Sequence, residues 1–137
     1  MMVESKIDTP SSKMVLYAGL KDPENDIRVA CCEAWGKQPS PEATRMLAET
    51  LSGDTDLDVR LAAAKALSHA GDKDAVKALG AALEDSDPAV QYCAVASLKE
   101  VTGKNLGNDV KAWQELAKQP DPPVRTKALA SRPWQIF

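Results

Sequence analysis

The chain has 137 residues, of which 44% are hydrophobic and 27% charged, and its formal net charge is −3. At roughly 100–200 residues per domain, this length predicts one domain, and the apolar fraction excludes wholesale disorder. Alanine occurs 21 times, whereas phenylalanine, tyrosine and tryptophan together occur six times. Because strands favour aromatic and β-branched residues and closely packed helices favour alanine and leucine, this composition predicts an all-α protein.

The sequence argues against membrane, secreted and strongly basic classes of protein. It contains no apolar run near the ~18 residues that a spanning helix needs, and the start, Met1 to Lys6, lacks the apolar core of a signal peptide. Three cysteines, two of them adjacent, do not form a disulfide framework, so we expect a reducing, cytoplasmic setting. The mild negative charge disfavours binding to nucleic acid through phosphate contacts.

A repeat of about 32 residues organises the chain. Four acidic turns are each followed by an aliphatic anchor, at Ile27, Val59, Val90 and Val124. After Val59, small or apolar residues recur at the third, fourth, seventh, eighth and eleventh positions, which form one face of a helix. A shorter amphipathic segment precedes each turn, so each unit has room for two helices. Stacked neighbours would bury the apolar faces that one pair leaves open.

Capping signals predict where these helices begin and end. A side-chain oxygen of Ser, Asp or Asn satisfies backbone N–H groups at a helix start, and glycine tolerates the left-handed conformation after a helix end. The predicted starts are Ser40, Asp56, Asp72, Asp87 and Asn108, and the predicted ends are Gly36, Gly71 and Gly103.

The second unit, from Asp56 to Leu67, reads Asp-x-x-Val-Arg-x-x-Ala-x-x-Ala-Leu after its turn. This pattern resembles HEAT repeats, in the short bacterial form also seen in the phycobilisome-lyase group. Armadillo repeats are the near alternative, but they need about 40 residues and a third helix. The resemblance implies an all-α, right-handed α-solenoid of about four antiparallel helix pairs. The expected units are 11–38, 40–71, 72–103 and 108–132, between a flexible 1–10 and an apolar tail or cap at 133–137.

Arginine follows the anchor in three of the four units, and acids surround the turns. One interpretation is a row of anion-binding sites. The favoured one is a structural ladder, in which each arginine reaches a turn acid of its own or the adjacent unit. The predicted members of the ladder are Asp26, Arg28, Asp58, Arg60 and Arg125.

The sequence shows no catalytic constellation, so we expect a non-enzymatic protein without cofactor or metal. His69 is the single histidine, whereas HEAT-like iron-dependent hydroxylases carry repeated His-Glu pairs. Cys31, Cys32 and Cys93 lack Cys-x-x-Cys spacing. Cys31 and Cys93 are expected in the core. Cys32 falls between two helix faces, and a reactive thiol is an alternative interpretation of this residue.

The second helices are expected to line the concave surface of the solenoid and to present the residues that lie two, six and nine or ten positions after each anchor. The first of these rows contains Val29, Leu61 and Tyr92, which predicts an apolar binding strip with Tyr92 as its best anchor. The alternative is that this row is half-buried between neighbouring second helices. The full set of predicted partner contacts is Val29, Glu33, Leu61, Lys65, His69, Tyr92, Glu100, Trp134 and Phe137.

The favoured function is a protein–protein interaction or scaffold module that binds a protein or peptide on this concave face, as a monomer or as part of a larger assembly. One alternative, which the resemblance implies, is a lyase or lyase subunit of the phycobilisome-lyase group. The other is a nucleic-acid-binding HEAT-like protein, which Glu33 and Glu100 disfavour because they interrupt the basic residues. Trp134 and Phe137 follow Pro133 and either cap the last repeat or bind a partner.

Overall fold

A computed structural model describes residues 17–70 and 72–124 of the chain. Regular secondary structure in these two ranges is entirely helical, which confirms the all-α class. Residues 17–19 are helical and precede six further helices in the described ranges. These are α1 (Asn25–Lys37), α2 (Pro41–Gly53), α3 (Leu57–Leu67), α4 (Lys73–Ala82), α5 (Pro88–Thr102) and α6 (Val110–Ala117).

The helices form two layers that alternate along the chain. Helices α2, α4 and α6 stack on one another in one layer, and α1, α3 and α5 stack in the other. The pairs α2–α3 and α4–α5 connect the layers within a repeat. We call the first set the first helices and the second set the second helices. This stacking of consecutive helix pairs is the α-solenoid arrangement that the sequence predicts.

The core lies between the two layers and combines aliphatic anchors and alanines with leucines and two tryptophans, Trp35 and Trp113. Val59 and Val90 are completely buried, as are Ala63 and Ala94 on the second helices. Ile27 occupies the equivalent anchor position but is 44% exposed. Helices α3 and α5 each lie against the second helix of the preceding repeat, whereas Ile27 belongs to α1, the first of the second helices described. An anchor is therefore fully buried where its helix stacks on a preceding one.

Most predicted helix starts agree with the structure. Ser40 Oγ accepts the Ala43 N–H at 3.0 Å, and the side chains of Asp56, Asp72 and Asp87 accept N–H groups of their own first turns. The predicted start at Asn108 is wrong, because α6 is capped by Asp109, which accepts the Ala112 N–H at 3.2 Å. An aspartate one residue closer to the helix takes the role that the sequence assigned to asparagine.

The predicted helix ends divide into one correct and one wrong assignment. Gly103 caps α5 with φ of 71°, a left-handed conformation that glycine adopts without strain. Gly36 instead lies inside α1 and is buried. A Cβ atom added to Gly36 would lie 2.8 Å from the Cβ of Ala66, so glycine here permits α1 and α3 to approach closely. Gly71 lies outside the described residues.

Candidate partner-binding surface

The second helices present a grid of side chains, which we call the second-helix face. Each helix contributes the residues two, six and ten positions after its anchor, which lie about one turn apart along the helix. The members are Val29, Glu33 and Lys37 from α1, Leu61, Lys65 and His69 from α3 and the turn after it, and Tyr92, Ala96 and Glu100 from α5. All of the predicted contacts among residues 17–124 therefore share this face.

Burial separates Tyr92 from the other two apolar members of the face. Tyr92 is 71% exposed, whereas Val29 and Leu61 are half-buried and pack against the core. Helix α5 packs against α3 near Leu61, where Cys93 Sγ lies 3.8 Å from the carbonyl oxygen of Leu61. The structure therefore presents one strongly exposed aromatic side chain rather than a continuous exposed strip.

The polar members of the face on α1, on α3 and in the turn after α3 surround a depression between these two helices, which we call the α1–α3 depression. Its volume is about 240 Å³. Gly36, Ala62 and Ala66 form its apolar part. Its polar lining consists of Glu33, Lys37, Lys65 and His69, all of which are exposed. Glu33, Lys65 and His69 are predicted partner contacts, but the sequence pattern does not predict that they surround one depression.

The arginines that follow the anchors connect consecutive repeats. Arg28 Nε lies 2.9 Å from Asp54 Oδ2, and Arg28 Nη1 donates to the carbonyl oxygen of Asp22 at 2.7 Å. Arg60 repeats this arrangement one unit later, with Asp85 Oδ2 at 3.0 Å and the carbonyl oxygen of Asp54 at 3.0 Å. Each arginine therefore binds the turn backbone of its own repeat and the turn carboxylate of the next.

The acids of this arrangement differ from those that the sequence pattern predicts. Asp26 and Asp58 lie exposed in the first turns of α1 and α3, where their negative charges interact favourably with the positive end of the helix dipole. The carboxylates that pair with arginine belong to Asp54 and Asp85, five residues before the anchors. Arg125, the last predicted member, lies outside the described residues, as do Trp134 and Phe137.

Asp54 and Asp85 could have been found in the sequence, because aspartate recurs five residues before the first three anchors. Their carboxylates accept the backbone N–H of Asp56 and Asp87 at 2.9 and 2.8 Å, which fixes each turn. Asp22 does the same for the Glu24 N–H at 2.8 Å. Asp54 and Asp85 therefore each close their own turn and bind the arginine of the preceding repeat. This double role explains why aspartate recurs at the position.

Hydrogen bonds across this seam shift two pKa values. The hydrogen bond with the Asp54 carboxylate is the main cause that raises the pKa of Arg28. The pKa of Asp56 is lowered, first by the side-chain hydrogen bond from Asn25 Nδ2 at 2.8 Å and further by the N–H groups of Val59 and Asp58. Both shifts favour the charged forms that hold the repeats together.

The cysteines are free thiols. Cys31 and Cys32 are buried and Cys93 is half-buried. Burial raises all three pKa values, and it raises that of Cys32 to about 12. The thiolate is the reactive form of cysteine, and the raised pKa of Cys32 disfavours it. The surroundings of Cys32 therefore do not support the hypothesis of a reactive thiol there. In the part of the chain that the structure describes, no group of three or more His, Cys, Asp or Glu residues could hold a metal ion.

A family model for HEAT repeats matches the chain twice, at residues 2–68 and 46–131. A search of curated proteins finds no match. HEAT repeats commonly mediate protein interaction or scaffolding. No helix within residues 17–70 and 72–124 is long and apolar enough to cross a membrane. Since the two matches together cover far more than half of the chain and the helix pairs stack as repeats, the protein belongs to the HEAT-repeat family.

Proposed function

We propose that this protein is a non-enzymatic interaction module that binds a segment of a partner protein on its second-helix face, with Tyr92 as the main contact. The observation that carries the proposal is the exposure of Tyr92, at 71% of its surface. A tyrosine ring provides a large, rigid contact area and a hydroxyl group, and such residues supply much of the binding energy at protein interfaces.

The distribution of exposed apolar groups supports this choice of surface. Among the described residues, the large hydrophobic side chains that are exposed are Ile27 and Tyr92. On the first helices α4 and α6, the exposed positions include the charged residues Lys77, Lys111 and Glu115. Both layers expose charged side chains, but among the described residues the exposed large hydrophobic side chains belong to the second helices, which favours binding on the second-helix face.

Site-specific photocrosslinking in the native cell tests this proposal. Tyr92 is replaced by p-benzoyl-phenylalanine, and Lys111 on the first-helix layer is replaced in a matched control. We expect a discrete crosslinked protein from position 92 and none from position 111. Equal crosslinking from both positions, or crosslinking from position 111 alone, contradicts the assignment of the face.

The crosslinked partner then allows a quantitative test. Tyr92→Asp places a charge in the contact and should weaken binding by about thirtyfold, the effect of losing about 2 kcal/mol at an interface centre. Tyr92→Phe keeps the ring and should retain most of the affinity. Because Tyr92 is exposed, both variants should unfold at the temperature of the wild-type protein. Unchanged affinity in Tyr92→Asp would show that the partner binds elsewhere.

A further inference from the structure

The shape of the α1–α3 depression follows from two small residues. Gly36 has no Cβ, and a Cβ added there would lie 2.8 Å from the Cβ of Ala66. The two backbones therefore meet closely, and the long side chains of Glu33, Lys37 and Lys65 rise around the gap. At about 240 Å³ the depression is smaller than the pockets of about 300–1,000 Å³ that enclose whole small molecules. Its size suits one side chain of a bound segment.

The charges around the depression favour a negatively charged group. Two lysines face one glutamate, so the formal sum over these three side chains is positive. Lys73 forms an ion pair with Asp121, whereas within residues 17–70 and 72–124 neither Lys37 nor Lys65 lies in such a pair. The protein as a whole carries a net charge of −3, so this positive region contrasts with the rest of the molecule. Its attraction acts locally, within a screening length of about 8–10 Å.

We infer that the second-helix face selects an acidic segment, which places an Asp or Glu side chain between Lys37 and Lys65 and an apolar residue against Tyr92. This inference rests on the proposed function, and it adds the chemistry of the partner. The small apolar floor accepts the methylene groups of the acidic side chain, while the two ammonium groups contact its carboxylate.

Helix geometry fixes the spacing of the two contacts. Adjacent packed helices lie about 8–10 Å apart, and each residue rises about 1.5 Å along its helix. Tyr92 is therefore about 16 Å from the centre of the depression. An extended chain covers this distance in about five residues, at ~3.3 Å each. The selected segment should contain an acidic and an apolar residue at about this separation.

A displayed library of random linear peptides, selected on the full-length protein, tests the inference. We expect enriched peptides with an acidic and an apolar position separated by about five residues. A fluorescein-labelled copy of an enriched peptide is then compared with a copy that has Asn or Gln in place of its acid. The neutral copy should bind about fivefold more weakly, as expected for a partly exposed charge pair.

Charge reversal identifies the lysines. Lys65→Glu should weaken the binding of the acidic peptide by about tenfold. It should also abolish the difference in affinity between the acidic and neutral copies. The matched control is Lys77→Glu, the same change at an exposed position of the first helix α4, which should leave both affinities unchanged. Both lysines are exposed, so thermal unfolding should confirm that the variants remain folded.

The outcomes distinguish this inference from the proposed function. Peptides that depend on Tyr92 but show no acidic preference and no response to Lys65→Glu overturn the inference and leave the function standing. Failure to enrich any peptide that depends on Tyr92 contradicts both. If instead a labelled DNA duplex binds in a Lys65-dependent manner and acidic peptides do not, the lysines serve nucleic acid and the inference is overturned.

Discussion

Arg60 and Asp85 lie 25 residues apart and form an ion pair between consecutive repeats, with 3.0 Å between Nε and Oδ2. Arg28 and Asp54 form the same pair one repeat earlier. In both cases the arginine also donates to the carbonyl oxygen of the residue five positions before its own anchor. Each pair therefore fixes the position of one repeat relative to the next, which apolar packing alone does not do.

The third interface lacks this pair, and the sequence explains why. Gln91 replaces the arginine and keeps the bond to the carbonyl oxygen of its own turn, at Asp85, with a distance of 2.7 Å. Gln119 stands where the next turn acid would be, five residues before Val124. Both partners are thus replaced together by neutral residues, so no charge is left buried without its partner.

Restoring the pair should stabilise the protein. We expect the double variant Gln91→Arg, Gln119→Asp to be more stable than the two single variants predict, with a coupling energy of about 0.5–1 kcal/mol. Urea unfolding of the wild type, both single variants and the double variant measures this value. A coupling energy within error of zero would show that the third interface does not share the geometry of the first two.

The reverse change provides the control. Arg60→Gln keeps a donor for the carbonyl of Asp54, and Asp85→Asn keeps an acceptor for the Asp87 N–H. The pair of changes therefore removes the charges and preserves the turn. We expect the same sign of coupling, about 1 kcal/mol in favour of the native pair, because both side chains are largely buried, with 15% and 14% exposed.

Gly36 should not tolerate a side chain. Gly36→Ala improves helix propensity by about 0.5–1 kcal/mol, but its Cβ would lie 2.8 Å from the Cβ and 3.0 Å from the Cα of Ala66. Separating the two helices costs about 1–3 kcal/mol, so the net effect should be a loss of stability. The matched control is Gly53→Ala, where no atom lies within 4 Å of the added Cβ. Equal effects in both variants would show that α1 and α3 can move apart without cost.

Gly36 also shows how far the sequence predicts the structure. The repeat period fixes which residues of α3 and α5 are buried, so the fold follows from the spacing of anchors and alanines. A glycine near a helix end has two uses, a left-handed cap or a close approach. Gly103 serves the first use and Gly36 the second, and the sequence gives no way to separate them before the helices are packed.

The candidate site is predictable in part for the same reason. Periodicity places Glu33, Lys65, His69 and Tyr92 on one face, but it does not give the exposure of each residue. Leu61 is half-buried and Tyr92 is 71% exposed, although both lie two residues after an anchor. Leu61 has α5 of the next repeat packed beside its helix, with Cys93 Sγ 3.8 Å from its carbonyl oxygen, and the sequence pattern does not show such packing between helices. The depression depends on the same packing and is likewise absent from the sequence pattern.

Lowering the pH should reduce the contribution of the Asn25–Asp56 hydrogen bond to the stability of the protein. The Asn25 amide donates to Asp56 and is the main cause that lowers the pKa of this carboxyl group. A carboxyl group with a lower pKa in the folded than in the unfolded state stabilises the protein above its unfolded pKa of about 3.9. This stabilisation disappears as the pH falls through the folded pKa. Asn25→Ala should therefore be less stable than the wild type at neutral pH, and the difference should narrow below about pH 4.

Urea unfolding at several pH values measures this difference. Asn105→Ala is the control, because the Asn105 side chain accepts the backbone N–H of Gly107 at 2.9 Å and its partner does not titrate. The effect of Asn105→Ala should stay constant over the same range of pH. A pH-independent effect of Asn25→Ala as well would show that its bond to Asp56 does not depend on the charge of the carboxylate.

The three thiols should react at different rates in the native protein. Cys32 is completely buried and burial raises its pKa to about 12, whereas Cys93 is half-buried. At pH 8 the thiolate fraction of Cys32 is then about two-thousandfold lower than that of an unfolded cysteine with a pKa of about 8.5. Alkylation with iodoacetamide, followed by mass spectrometry of the peptides, should modify Cys93 first and Cys32 last. In guanidinium chloride all three should react at similar rates, and native labelling of Cys32 as fast as Cys93 would show that α1 opens readily.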